Sequence, residues 1–201
     1  MPDGPTAKRR HKRSNFGFLL IDVINPLDFP EASQMQRFVP PMIRVLRALK
    51  ERCRRAGVPV IYVNDNFGRW RSDLDQTVEY CIDTKSRGSN MSQRLRPEPD
   101  DYFVLKPKHS GFFGTALETL LQSIGVRQLI ITGIATTSCI LATAFDAHMR
   151  GYRLFVPLDG TIANTAQEKR AALKLMTNYL KADTRLASKI AFYSARKLRI
   201  S

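Results

Sequence analysis

Gln128-Leu-Ile-Ile-Thr-Gly-Ile-Ala-Thr-Thr-Ser-Cys139 is the stretch from which the fold can be read. An apolar, β-type run ends at Gly133, a turn of small residues follows, and Cys139 opens an apolar, Ala-containing helical pattern, Ile140 to Met149. Strand, turn and helix in immediate succession are the first half of a βαβ unit. A thiol at the start of a helix lies in the positive end of the helix dipole, which favours the thiolate. A buried structural cysteine can occupy the same place. Position alone therefore leaves nucleophile and packing residue both open, until the chain supplies a base and a cation to match.

The same alternation runs outward in both directions. Phe16-Gly-Phe-Leu-Leu-Ile-Asp-Val23 is a continuous apolar run broken only by its acid, as expected of a strand buried on both faces. Asn25-Pro26 ends it, and a Pro- and Asp-containing loop leads to a helical pattern over Ser33 to Ala56, with Val45, Leu46, Leu49 and Cys53 inward. Pro40-Pro41 should break or start the main helix there, and Gly57 should cap it. Val58 to Val63, Tyr102 to Lys106, Val126 to Thr132 and Tyr152 to Val156 read as further strands, with a short sixth over Ala182 to Leu186. Thr115 to Ile124 and Ala166 to Lys181 read as helices. Residues 64–100 form a long polar connection with some helix over 73–82, and connections of that length are often functional. Strands alternating with helices predict a three-layer αβα domain around a mostly parallel, six-stranded, Rossmann-like sheet. The domain is expected over 16–186, with a basic disordered tail at 1–15 and a C-terminal tail at 187–201.

Composition narrows the classes. The chain has 201 residues, 43% of them hydrophobic and 25% charged, which suits one soluble domain with a sizeable core. No apolar stretch reaches membrane-spanning length, and no signal-peptide core follows the basic N-terminus, so the expectation is a cytoplasmic protein with no membrane partner. Cys53, Cys81 and Cys139 do not make a disulfide framework or a Cys/His zinc cluster. The net charge of +14 suggests nucleic acid at first sight. Its distribution weakens that reading. Lys8, Arg9, Arg10, Lys12 and Arg13 sit in the tail, and Arg44, Arg47, Lys50, Arg52, Arg54 and Arg55 lie on one helix without interleaved exposed aromatics, as on a solvated helix face. Nucleic acid is thus not the expected partner.

In open parallel sheets, ligands bind at the carboxyl ends of the strands. Asp22 ends the first strand, Asn64-Asp65-Asn66 the second, and Lys106 the third, followed by Lys108, His109 and Ser110; the fourth leads to Cys139 and the fifth to Asp159. An acid and an ammonium at the ends of buried runs are costly unless paired or functional. Asp22 and Lys106 could form a structural salt bridge closing the sheet edge. Beside a thiol they acquire a second reading: Asp22 takes the thiol proton as general base, and Lys106 holds the thiolate.

Asp22 in Leu-Leu-Ile-Asp, Lys106 in Val-Leu-Lys-Pro-Lys-His-Ser-Gly-Phe-Phe-Gly-Thr115, and Thr-Gly-Ile-Ala-Thr-Thr-Ser-Cys139 resemble the three signature blocks of the isochorismatase-like cysteine hydrolases, a likeness that runs from about Phe16 to Leu186. The resemblance implies a triad of Cys139, Asp22 and Lys106, and a non-proline cis peptide at Ile134–Ala135 that aims the backbone N–H groups of Ala135 and Cys139 into an oxyanion hole. It implies hydrolysis of a small amide, carbamoyl or ureide C–N bond through a thioester on Cys139, and a homo-oligomer, dimer or tetramer. Nicotinamidases of this family carry a metal site with an Asp-x-His motif after the second strand. Here that segment reads Asn64-Asp65-Asn66-Phe67-Gly68, and His11, His109 and His148 do not pair at ligand spacing, so no metal and no cofactor are expected. Asn66, Trp70, His109 and Phe113 are the candidate substrate contacts, because loops at the strand ends form pocket walls. Two rivals use the same fold without hydrolysis: a thiol sensor built on Cys139, and a basic binding module.

Overall fold

The computed structural model describes residues 14–70, 73–83 and 86–192. The basic tail over 1–13 and residues 193–201 lie outside the described residues. At its centre is a six-stranded, all-parallel sheet: β1 (Phe16–Ile21), β2 (Val60–Asp65), β3 (Tyr102–Lys106), β4 (Gln128–Ile134), β5 (Arg153–Phe155) and β6 (Thr161–Ile162). The strand order is β3-β2-β1-β4-β5, with β6 paired to β4. Chain order reverses direction at β1, between β2 and β4. That is the switch point at which open parallel sheets leave a crevice.

β1 is buried along its whole length. Phe18 and Leu20 pack into one apolar cluster with the helices α1 (Ala32–Met35), α2 (Val39–Arg55), α3 (Leu74–Asp83) and α4 (Ser89–Arg94). Leu19 and Ile21 pack into another with α5 (Leu117–Ser123), α6 (Leu141–Met149) and α7 (Ala166–Leu180). Period-two alternation of a uniformly apolar strand thus divides its side chains between two cores, and the three layers follow.

The helical pattern after β1 resolves into α1, a 3₁₀ turn over Gln36–Phe38, and α2, in which Pro40 and Pro41 occupy the first turn, where their missing N–H groups cost nothing. Not all of α2's basic face is solvated. Lys50 is buried against Asp101 at 2.7 Å, Arg54 pairs with Asp101 at 2.9 Å, and Arg52 donates to the carbonyls of Ala187 and Ile190. Cys53 and Cys81 are fully buried in the α2–α3 cluster.

The sixth strand is not Ala182 to Leu186. That segment contributes a single bridge, Asp183 to Phe155, and the sixth strand is the two-residue β6, which continues the β4 edge beyond the end of β5. Asp159, in the loop after β5, accepts from the Ala187 N–H at 2.8 Å and anchors the chain that follows α7, while Thr165 caps α7 with a reciprocal Glu168 bond. Among the described residues, no helix is long and apolar enough to cross a membrane.

Candidate active site

β1, β2 and β4 are in register, so that Ile21 stands beside Val63 and Gly133, and Asp65 stands beside Lys106. The residues that follow these positions therefore gather at one end of the sheet. Asp22 leaves β1 at φ 51, a left-handed conformation that Asp tolerates better than bulkier residues. Its Oδ1 accepts the Asp65 N–H at 2.7 Å, and its Oδ2 lies 2.9 Å from Lys106 Nζ. Lys106 is 0% exposed, so its ammonium is held entirely by what surrounds it. Besides Asp22 it meets Cys139 Sγ at 3.5 Å and Asp65 Oδ2 at 3.5 Å. His109 Nδ1 stands 3.8 Å from the same sulfur. The Ile134–Ala135 peptide is cis.

Cys139 lies in the opening turn of a helical segment, as the fourth residue of a π-helix, Thr136–Ile140, that runs directly into α6 at Leu141. That position does not lower the thiol pKa. Burial pushes the thiol up and the Asp22 carboxylate pushes it further; Lys106 opposes both, and the result is about 12. Asp22 is likewise raised above the carboxylate range by burial, against the pull of Lys106. Burial works to lower Lys106, but Asp22 and Cys139 outweigh it, and the ammonium is held more firmly than in water. The thiol, the Asp22 carboxyl and the Lys106 ammonium thus each hold a proton more firmly than in water.

Above these groups opens a pocket of about 520 Å³ lined by Asp22, Asp65, His109, Ile134, Ala135 and Cys139, and further by the loop and turn residues between them. Of the substrate contacts expected from the sequence, His109 lines it. Asn66 does not: it is buried, and its Oδ1 accepts the Gly68 N–H. Trp70 and Phe113 are 78% and 60% exposed and stand outside the lining. The β1–α1 loop supplies lining residues that the sequence does not single out, Asn25, Asp28, Phe29 and Glu31, and α1 adds Met35. The available signal was their place directly after Asp22. Among the described residues, no group of three or more His, Cys, Asp or Glu side chains could hold a metal ion, and Asp65 is already engaged by the Phe67 N–H and Lys106.

A family model, the isochorismatase domain, matches residues 17–187. The chain belongs to the isochorismatase family. It is a hydrolase of that family, and relatives bear related names. It is 36% identical over 171 residues, 85% of this chain and 93% of the other, to the uncharacterized isochorismatase family protein YaaI of Bacillus subtilis. It is 31% identical, over 82% of this chain and 89% of the other, to an Arabidopsis thaliana protein named "probable inactive nicotinamidase". Among solved structures, the N-carbamoylsarcosine amidase of Thermoplasma acidophilum is 26% identical, with a TM-score of 0.63 over 87% of this chain and 98% of that one. The isochorismatase family's mostly parallel sheet flanked by helices is the architecture described above.

Proposed function

We propose that this isochorismatase-family hydrolase is a cysteine amidohydrolase that cleaves a small amide, carbamoyl or ureide C–N bond through a thioester on Cys139. The observation that carries this reading is Lys106, whose one buried ammonium contacts both the Asp22 carboxylate and the Cys139 sulfur at the floor of a pocket. A salt bridge serving only to close the sheet edge would not need a thiol on its third side.

Each group has a task that its environment suits. Asp22, made more basic by burial, accepts the Cys139 proton as the sulfur attacks the substrate carbonyl. Lys106 neutralises the thiolate as it forms, so that negative charge moves from carboxylate to sulfur without leaving the cation. The carbonyl oxygen becomes an oxyanion, and the backbone N–H groups of Ala135 and Cys139 are the proposed donors to it. Collapse of the tetrahedral intermediate breaks the C–N bond, and the leaving nitrogen takes the proton from Asp22, departing as ammonia or an amine. Water then attacks the thioester, Asp22 again receives the proton, and the thiol is restored as the acid leaves.

The sensor reading fits less well. Redox-sensing cysteines are exposed and of low pKa, whereas this thiol is pushed up to about 12. The test is ammonia release from a panel of small amides, carbamoyl compounds and ureides. Wild type should turn over at least one, and Cys139→Ala and Asp22→Asn should lose that turnover while keeping the far-ultraviolet spectrum and a cooperative melt. Undiminished turnover in Cys139→Ala would overturn the proposal.

A further inference from the structure

The charge of the pocket is opposite to that of the chain. The protein carries 32 Lys and Arg against 18 Asp and Glu, so overall composition does not account for a pocket lined by acids. The described residues lining this one include four carboxylates, Asp22, Asp28, Glu31 and Asp65, and among the described residues neither lysine nor arginine. Asp22 and Asp65 share the buried Lys106 beneath the floor. Asp28 and Glu31 do not: among the described residues neither forms an ion pair or a side-chain hydrogen bond. Glu31 precedes α1 at its cap position without making the cap bond, so helix capping does not account for it. Nor does a metal ion, since no metal-holding group exists among the described residues. Phe29, between these two acids in the chain, and Phe67, on the β2 side, line the same pocket. Aromatic rings beside unpaired carboxylates attract organic cations, through ring quadrupole and Coulomb attraction together.

From this we infer that the substrate is a small amide or carbamoyl compound bearing a positively charged ammonium group, with the scissile carbonyl at Cys139 and the ammonium received by Asp28, Glu31 and the rings of Phe29 and Phe67. The inference rests on the hydrolase reading of the same pocket. It disfavours substrates bearing a carboxylate, which would meet two acids without an ion-pair partner and, among the described residues, no arginine in the lining. Both acids are exposed, so the repulsion weakens as salt rises.

A matched series tests it: 5-aminopentanamide, pentanamide and glutaramate share a linear chain and a terminal carboxamide and differ in charge at the far end. Wild type should show kcat/KM about tenfold or more higher for the cationic amide than for the neutral one, with the anionic one lowest, and the cationic-to-neutral ratio should shrink as salt rises. In Asp28→Asn/Glu31→Gln that ratio should fall towards one. Cys139→Ala, which needs no turnover, should bind the three ligands in the same order by calorimetry. Equal or absent binding across the series, or a preference that survives in the double variant, overturns the inference. If Cys139→Ala prefers the cation but wild type releases no ammonia, the charge assignment stands and the hydrolase reading falls. Turnover without charge preference leaves the hydrolase reading standing and overturns the charge assignment.

Discussion

Lys106 and Asp22 form an ion pair at 2.9 Å in which the lysine is fully buried and the aspartate nearly so. Taking both charges out of water is costly, and their attraction offsets that cost only while both are present. The pair is therefore a weak source of net stability and a strong point of vulnerability.

Removing one partner should expose that asymmetry. Lys106→Met leaves Asp22 buried without its cation and should cost about 3 kcal/mol or more in urea denaturation at pH 8. Asp22→Asn should cost less, because Asp65 still faces Lys106 at 3.5 Å from a partly exposed position. The sign of the pH dependence follows from Asp22. Its folded pKa lies above the ordinary value and should rise further without Lys106. The native state thus favours the protonated acid, and the associated stability is lost as pH rises through the folded pKa. The deficit of Lys106→Met relative to wild type should shrink from pH 8 to pH 5, and a deficit that widened would contradict the assignment.

Asp22 and Cys139 should separate reactivity from turnover. After burial, the Asp22 charge is the largest influence raising the thiol to about 12, and Lys106 opposes it. Asp22→Asn removes the opposing carboxylate and keeps the cation, which should lower the thiol pKa. Cys139 should then be alkylated by iodoacetamide at pH 8 roughly tenfold or more faster than in wild type. Hydrolysis should fall in the same variant, since the proton acceptor is gone. In wild type, kcat/KM should decline on the acid side at a pH above the ordinary carboxylate range, because the base must be deprotonated to act. Slower alkylation in Asp22→Asn would show that the carboxylate does not hold the thiol protonated.

Gly133 stands near the end of β4, just before the turn that carries Cys139, and no side chain fits there. Its φ is 113, and a Cβ would collide with the Ile21 carbonyl on the neighbouring strand. Gly133→Ala should lower stability by roughly 3 kcal/mol or more, combining backbone strain with overpacking. Gly125→Ala, at φ 77 with nothing within 4 Å of its Cβ, should cost only about 1–2 kcal/mol. Equal urea midpoints for the two would contradict the close approach of β1 and β4.

What the sequence disclosed follows from burial. Phe18 to Ile21 and Leu129 to Ile131 are apolar because they are covered on both faces, so their strands, and the end of the sheet where Asp22, Lys106 and Cys139 meet, were legible. β6 was not, because a two-residue strand has no period, and it pairs with β4 only where β5 has ended. The π-type turn was not either, since Thr-Thr-Ser carries no composition that separates it from a helix start. Trp70 and Phe113 stand out as aromatics near strand ends, but nothing in a linear pattern says which way a loop side chain turns. Asp28 and Glu31 resemble ordinary solvated acids. Their meaning depends on the pocket they line, and on the lack of lysine or arginine in that lining among the described residues.

The most direct test of the account is the mass of Cys139 during turnover. Wild type mixed with a substrate from the ammonia-release panel, quenched in acid within the first turnovers and analysed by intact-protein and peptide mass spectrometry, should carry the acyl group on the Cys139 peptide. The adduct should decay as substrate is consumed and be missing from Cys139→Ala. Steady turnover in wild type with no acylated Cys139, together with ammonia release by Cys139→Ala, would contradict the thioester mechanism.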